Sequence, residues 1–125
     1  MYEYNAKCIR VVDGDTISVM ADLGFSIFKK VMVRLDGIDT PETRTRDKEE
    51  KKRGLAAKAR LQDIMDLNDN VLLLRVNGIG KYGRALGVLS VDNVGGMQDI
   101  SLTKINVNEL LIKEGHANNY SGGAR

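Results

Sequence analysis

One stretch of this chain, Gly54 to Asn68, repeats at helical spacing, and that single change of period orders everything around it. Ala57, Leu61, Ile64 and Asn68 fall on one face with Met65 beside it, as on a helix packed along one stripe. The flanking sequence reads instead as short β-branched runs. Cys8 to Val12 and Thr16 to Met20 are separated by Asp13-Gly14-Asp15, and Asp-Gly between two such runs is a strong hairpin signal. Ile27 to Leu35 predicts a third strand, following Leu23-Gly24. Val71 to Val76 and Ala85 to Val91 predict two more around a Gly-rich turn. Asn106-Val107-Asn108-Glu109 has the form of a capping box, with Asn106 as N-cap and Glu109 at the third helical position. Val107, Leu110 and Leu111 then form an i, i+3, i+4 face, and Gly115 is placed to stop that second helix.

Five strands with a long helix between the third and fourth, and a short helix at the end, is the element order of an OB-fold barrel. The expectation is therefore an α+β, mainly β domain spanning residues 1–125. At 125 residues the chain is long enough to bury a core without disulfides. Cys8 is the only cysteine, which excludes an internal disulfide and a zinc cluster; it reads as a small buried hydrophobe on a strand. No apolar run approaches the roughly 20 residues of a membrane span. Met1-Tyr2-Glu3-Tyr4-Asn5 lacks the basic head and apolar stretch of a secretory signal. The expected location is cytoplasmic, or secreted if a leader precedes this numbering.

A net charge of +2 is too weak to argue for a polyanionic partner, but its placement is informative. Arg44 to Arg53 holds six basic and three acidic residues, so this segment nets +3 and the remainder −1. Such a run reads as a solvated loop, and beside an anion-handling site it would help gather nucleic acid.

That site is suggested by Asp39-Thr40-Pro41-Glu42-Thr43, which follows the third predicted strand. Asp15 and Asp39 can each offer a hard oxygen to a cation, and a backbone carbonyl beside Asp39 can add another. Oxygen-only donors favour Ca²⁺ or Mg²⁺ over zinc. Two carboxylates leave the shell unfilled, so waters and a substrate phosphate would complete it. An EF-hand counted from Asp13 fails, because Ser18 falls where glycine belongs and Gly24 where the bidentate glutamate belongs. Glu42, three residues after Asp39, can accept the proton of an attacking water. Arg34 and Arg84 can fork onto phosphate oxygens and stabilise the charge that grows at phosphorus. Tyr82, within Lys81-Tyr82-Gly83-Arg84, can stack on a base.

Each piece also has a plain structural reading. Asp13-Gly14-Asp15-Thr16 is a hairpin turn, Asp39-Thr40-Pro41-Glu42 a turn into a helix, Arg34 a surface strand residue, and Lys81-Tyr82-Gly83-Arg84 a turn between strands. His116, the only histidine, reads as an exposed helix-end residue rather than a catalyst. The plain readings leave the joint occurrence of all four pieces unexplained.

The combination resembles the thermonuclease, or staphylococcal nuclease-like, family from Lys7 to about Gly115. The motifs are Arg10-Val11-Val12-Asp13-Gly14-Asp15-Thr16, Arg34-Leu35-x-x-x-Asp39-Thr40-Pro41-Glu42-Thr43, Lys81-Tyr82-Gly83-Arg84 and Val107-Asn108-Glu109-Leu110. The resemblance implies one Ca²⁺ held by Asp15, Asp39 and the Thr40 carbonyl. It implies that Glu42 activates or positions water, that Arg34 and Arg84 bind phosphate, and that Lys81 and Tyr82 contact nucleotide. It also implies sugar-nonspecific cleavage of DNA and RNA, as single or frayed strands, at the P–O5′ bond by a monomer. Two departures stand out. Asp92 to Ile105 is longer than the family's usual link, with Asp99-Ile100-Ser101-Leu102-Thr103 a possible added strand. The match also fades after His116, where a third helix has no counterpart and Tyr120 lies only near the place of a nucleotide-contacting tyrosine. Two other readings remain open: a non-catalytic OB-type module binding nucleic acid or protein, and a calcium-binding structural protein.

Overall fold

A computed structural model describes residues 2–95 and 104–120, with the side chain of Lys81 outside the described set. Its centre is a closed barrel. Strand β1 (Tyr2–Asp13) is shared between two neighbours, pairing with β2 (Thr16–Asp22) along its second half and with β5 (Val71–Ile79) along its first. A bulge between Cys8 and Arg10 bends β1 from one partner to the other. β3 (Phe28–Leu35) pairs with β2, and β6 (Ala85–Val91) pairs with β5. The ring closes where β3 and β6 run parallel, from Val33 opposite Ala85 to Leu35 opposite Gly87. This is the five-stranded OB-fold expected from the element order.

The inward residues of the strands alternate with outward ones, so Ile17, Val19, Val33, Leu35, Leu74 and Leu89 are all buried to below 2% exposure. Helix α1 (Lys48–Leu67) adds Leu61, Ile64 and Met65 to this core, with Ala57 buried on the same stripe. Helix α2 (Val107–Lys113) packs Leu111 into it from the other side of the sequence. Asn106 caps α2 by accepting from the Glu109 amide at 3.1 Å, as the capping pattern predicts. Cys8 is buried and free, and burial pushes its thiol up, away from reactive behaviour. No helix among the described residues is long and apolar enough to cross a membrane.

Element starts and short strands differ from the sequence expectation. The long helix begins at Lys48 instead of Gly54, so the second half of the charged run is helical instead of looped. Its first turns carry no apolar stripe to read; Asp47 starts them by accepting from the amides of Glu49 and Glu50 at 3.0 and 3.2 Å. β1 begins six residues before Cys8, because Tyr2 to Lys7 is held by pairing to β5 and not by local β-branching. Short strands β4 (Ile38–Asp39), β7 (Ile105–Asn106) and β8 (Asn118–Asn119) are too brief to carry a period. The possible strand at Asp99 to Thr103 lies outside the described residues.

Candidate active site

The polar cleft of the molecule forms where the β1–β2 turn, the end of β3, β4 and the start of β6 meet. It holds about 330 Å³ and is lined by Asp15, Arg34, Asp39, Thr40, Glu42 and Arg84, together with their immediate neighbours. Residues far apart in sequence reach it through register. Thr16 lies opposite Arg34 across β2 and β3, and the Leu35 amide donates to the Asp15 carbonyl at 2.8 Å. The hairpin turn thus delivers Asp15 to the strand that carries the arginine.

Arg34 ties the two aspartates together. Its Nη1 lies 3.1 Å from Asp15 Oδ2 and its Nη2 lies 3.3 Å from Asp39 Oδ1, with these side chains only 13–17% exposed. The Thr40 amide donates to Asp15 Oδ2 at 3.2 Å, and the Thr16 hydroxyl donates to Asp15 Oδ1 at 3.1 Å. One carboxylate therefore collects a guanidinium, an amide and a hydroxyl, an arrangement that fixes its orientation. Thr43 donates to Asp13 Oδ1 at 2.7 Å, so both ends of the Asp39–Thr43 loop are fastened to the β1–β2 turn.

The helix fastens the same loop from beneath. A Cβ at Gly54 would lie 2.5 Å from the Glu42 carbonyl oxygen and 2.7 Å from that of Pro41. A Cβ at Gly14 would meet the Ala57 Cβ at 2.7 Å. Only bare backbone lets α1 approach both halves of the site this closely. Glu42 is left exposed at the cleft wall, with its main chain fixed against the helix.

Two features of the site were not legible as such in the sequence. β8 pairs with β4, Asn118 opposite Asp39, and the Tyr120 amide donates to the Gly37 carbonyl at 2.8 Å. That strap sets the Tyr120 ring 5.7 Å from the Arg34 guanidinium carbon, a cation–π contact. Tyr120, marked by sequence only as lying near a nucleotide-contacting position, here backs an arginine. The second feature is Asn108, buried at 3% exposure. It donates to the carbonyls of Asp36 and Gly87 at 2.9 and 3.0 Å and accepts from the Leu89 amide at 3.1 Å. This holds the β3–β4 turn to β6; the sequence shows the motif containing Asn108 but not its partners.

The Lys81–Gly83 turn behaves differently. Tyr82 is 92% exposed, in a left-handed backbone conformation at φ 62°, and does not line the cleft. Arg84 follows it into the cleft wall, its carbonyl accepting from the Gly80 amide at 2.7 Å. His116 is partly buried past the end of α2, its amide donating to the Leu111 carbonyl at 2.9 Å, away from the cleft lining.

The donors present suit a hard divalent cation. Asp15 and Asp39 converge on one guanidinium, so their carboxylates are near neighbours, and the Thr40 backbone is held against Asp15. No group of three or more His, Cys, Asp or Glu gathers around a metal-sized space among the described residues. A cation here would depend on water and phosphate for the rest of its shell, consistent with a sparse oxygen donor set.

No match is found among curated proteins. The model of the staphylococcal nuclease homologue family matches residues 32–124, which take in the second half of β3 with Arg34, the Asp39–Thr43 loop, α1, Arg84 and α2. Asp15 precedes that span and is joined to it by the β2–β3 register and the Arg34 ion pair. With the closed OB barrel and most of its length matched, the chain belongs to the staphylococcal nuclease homologue family.

Proposed function

We propose that this protein is a Ca²⁺-dependent nuclease that hydrolyses phosphodiester bonds in DNA and RNA. The observation that carries the reading is the single cleft lined by Asp15, Arg34, Asp39, Glu42 and Arg84, a combination that a structural turn does not require. Asp15, Asp39 and the Thr40 carbonyl would hold the cation. When bound, it would supply charge that draws a phosphate oxygen and makes a coordinated water easier to deprotonate. Glu42, exposed at the cleft wall, takes the proton of the attacking water. Arg84 and Arg34 bind the phosphate and stabilise the added negative charge as water attacks phosphorus, the P–O5′ bond breaks and the leaving oxygen takes a proton. Arginine suits this better than lysine because its planar fork meets two oxygens at once. The buried Asn108 link and the Gly54 contact keep the loop and the arginine strands in one frame, which the positioning of water and phosphate demands.

Arg34 has two partners to serve. Without phosphate it bridges two carboxylates that would otherwise repel, and the same guanidinium would be free to meet phosphate where a cation shared those carboxylates.

The test is digestion of single-stranded DNA with added calcium, then with chelator, by wild type and Glu42→Gln. Cleavage that requires calcium and falls with Glu42→Gln is the expected result. Oligonucleotide binding with no calcium-dependent cleavage would instead leave a non-catalytic OB module. Arg34→Ala is expected to slow cleavage by on the order of 10²-fold or more.

A further inference from the structure

The connection between β2 and β3 puts apolar side chains where turns ordinarily carry polar ones. Leu23, Phe25, Ile27 and Phe28 fall close together in sequence and are 41%, 98%, 56% and 60% exposed. Phe25 and Phe28 are the only phenylalanines of the chain, and neither belongs to the core. Apolar residues exposed singly are ordinary, but a cluster on one projection marks a contact surface. The backbone holds this cluster out. The Leu23 amide donates to the Ile27 carbonyl and the Ile27 amide to the Gly24 carbonyl, both at 2.9 Å. Phe25 and Ser26 sit at φ 55° and 61°, in the left-handed region that a β-carbon disfavours. Strain kept without packing points to a use for the side chain it presents.

The neighbouring charges narrow the partner. Lys29 and Lys30 follow Phe28 on β3, and both are exposed. Consecutive strand residues project to opposite faces, so cations stand on both sides of the tip. Neither lysine makes a salt bridge among the described residues. Asp22 is the one carboxylate between residues 21 and 30, and its Oδ1 accepts from the Gly24 amide at 2.9 Å. Behind the tip the barrel mouth opens as an apolar recess of about 360 Å³, whose lining includes Tyr4, Leu23, Lys29, Val31, Val76 and Ile79. Ile79 is itself exposed, so apolar surface continues from the tip to β5. A folded protein partner would need a cavity matched to this convex tip, whereas a bilayer yields around whatever projects. Apolar side chains foremost, with lysines just behind them, match acyl chains beneath anionic headgroups.

We infer that the β2–β3 tip is a membrane-docking element. It inserts Phe25, with Leu23, Ile27 and Phe28, into the interface of an anionic bilayer, while Lys29 and Lys30 meet the headgroups. Strand β3 then leads away from the surface. Phe28 to Arg34 spans about 20 Å of strand, which keeps the cleft in water beside the bilayer. The inference concerns attachment and does not rest on the nuclease reading. A second copy of the chain is the competing occupant of the same tip.

The test is flotation of the full chain with phosphatidylcholine vesicles, with and without phosphatidylserine, at low salt and in chelator so that calcium cannot bridge. Vesicles containing phosphatidylserine are expected to bind at least about tenfold more tightly, since each lysine near an anionic surface contributes about fivefold. Phe25→Ala is expected to weaken that binding by about tenfold or more, the loss of one buried aromatic ring. Lys29→Gln with Lys30→Gln should weaken it about 25-fold at low salt, a difference that salt erases. Leu67→Ala removes an exposed apolar side chain from α1 instead and should leave binding unchanged. The chain contains no tryptophan, so Phe25→Trp reports from the tip alone. Its emission should shift to the blue when phosphatidylserine vesicles are added. Absence of that shift, or vesicle binding that Phe25→Ala leaves intact, would overturn the inference. So would a chain that ignores vesicles but sediments more slowly once Phe25 is alanine, the mark of a second copy at the tip. Phe25 is almost wholly exposed, and circular dichroism checks that each variant folds.

Discussion

Strand β3 separates two loops that solve opposite problems. The loop after it, Asp39 to Thr43, is held from four directions: by the Arg34 ion pairs, by Thr43 on Asp13, by the helix backbone at Gly54 and by the β8 strap. The loop before it, Leu23 to Ile27, is closed by two backbone hydrogen bonds of 2.9 Å between its own ends and leaves Phe25 almost wholly in solvent. Phe25 and Ser26 both adopt positive φ there, a local cost that packing does not repay. The contrast is between a loop fixed by redundant neighbours and one that closes only on itself. A group that must meet a phosphate within a fraction of an ångström is fixed by redundant neighbours.

The sharpest way to break this comparison is to add one carbon to each loop's neighbourhood. Gly54→Ala pushes a methyl into the Pro41 and Glu42 carbonyls, and should cost about 1–3 kcal/mol of stability by overpacking. It should also cut cleavage by on the order of 10²-fold through displacement of Glu42. Gly24→Ala meets no atom within 4 Å and costs only the strain of positive φ, about 1–2 kcal/mol. Cleavage per folded molecule should stay near wild type. Denaturant melts and initial rates on the same samples check both, and equal rate losses would erase the distinction.

Smaller is the effect expected at the strap. Tyr120→Ala removes the ring beside Arg34 and should lower cleavage several-fold, in keeping with a cation–π contact of about 0.5–2 kcal/mol. Tyr120→Phe keeps the ring and should restore most of the rate. Failure of phenylalanine to rescue would assign the work to the hydroxyl instead.

The smallest effect is one of pH, at the point where α1 holds α2. Arg60 Nε lies 2.7 Å from Glu114 Oε1, and Arg60 also donates to the Val94 carbonyl at 2.9 Å. The Arg60 hydrogen bond, more than its charge, keeps the Glu114 carboxyl below the usual range and outweighs burial, which pushes the other way. An unfolded glutamate titrates near about 4.3, so the folded chain binds its proton less readily. The contribution is complete above that value and is lost as pH falls through the lower folded value. Being partly exposed, the pair should be worth under about 1 kcal/mol. Glu114→Gln should remove that part of the acid dependence in thermal melts at pH 3 to 6, while leaving the neutral-pH cleavage rate alone.

Most of the barrel was legible because its strands are β-branched runs and its one long helix has a clean stripe. The start of α1 was not, since Lys48 to Arg53 carries charge without period and depends on Asp47 for its first turn. The carboxylates and arginines of the cleft were legible as residue types at suggestive places. What joins them was not. Asp15 reaches Arg34 only through inter-strand register, and Asn108 reaches Asp36 across 72 positions. Tyr82 was legible by residue type alone. Its aromatic type suggests nucleotide contact, and the turn presents the ring to solvent beside the residues that line the cleft.

The β4–β8 pairing also sets an order of assembly. All five barrel strands and α1 are complete by residue 91, yet the segment that pairs beside Asp39 and backs Arg34 is residues 118–120. During synthesis from the N-terminus, the barrel can therefore form while the strap behind Asp39 and Arg34 is still missing. The guanidinium that links both aspartates gains its aromatic support only when Tyr120 has emerged, so a nascent chain carries the acid residues before it carries the finished site.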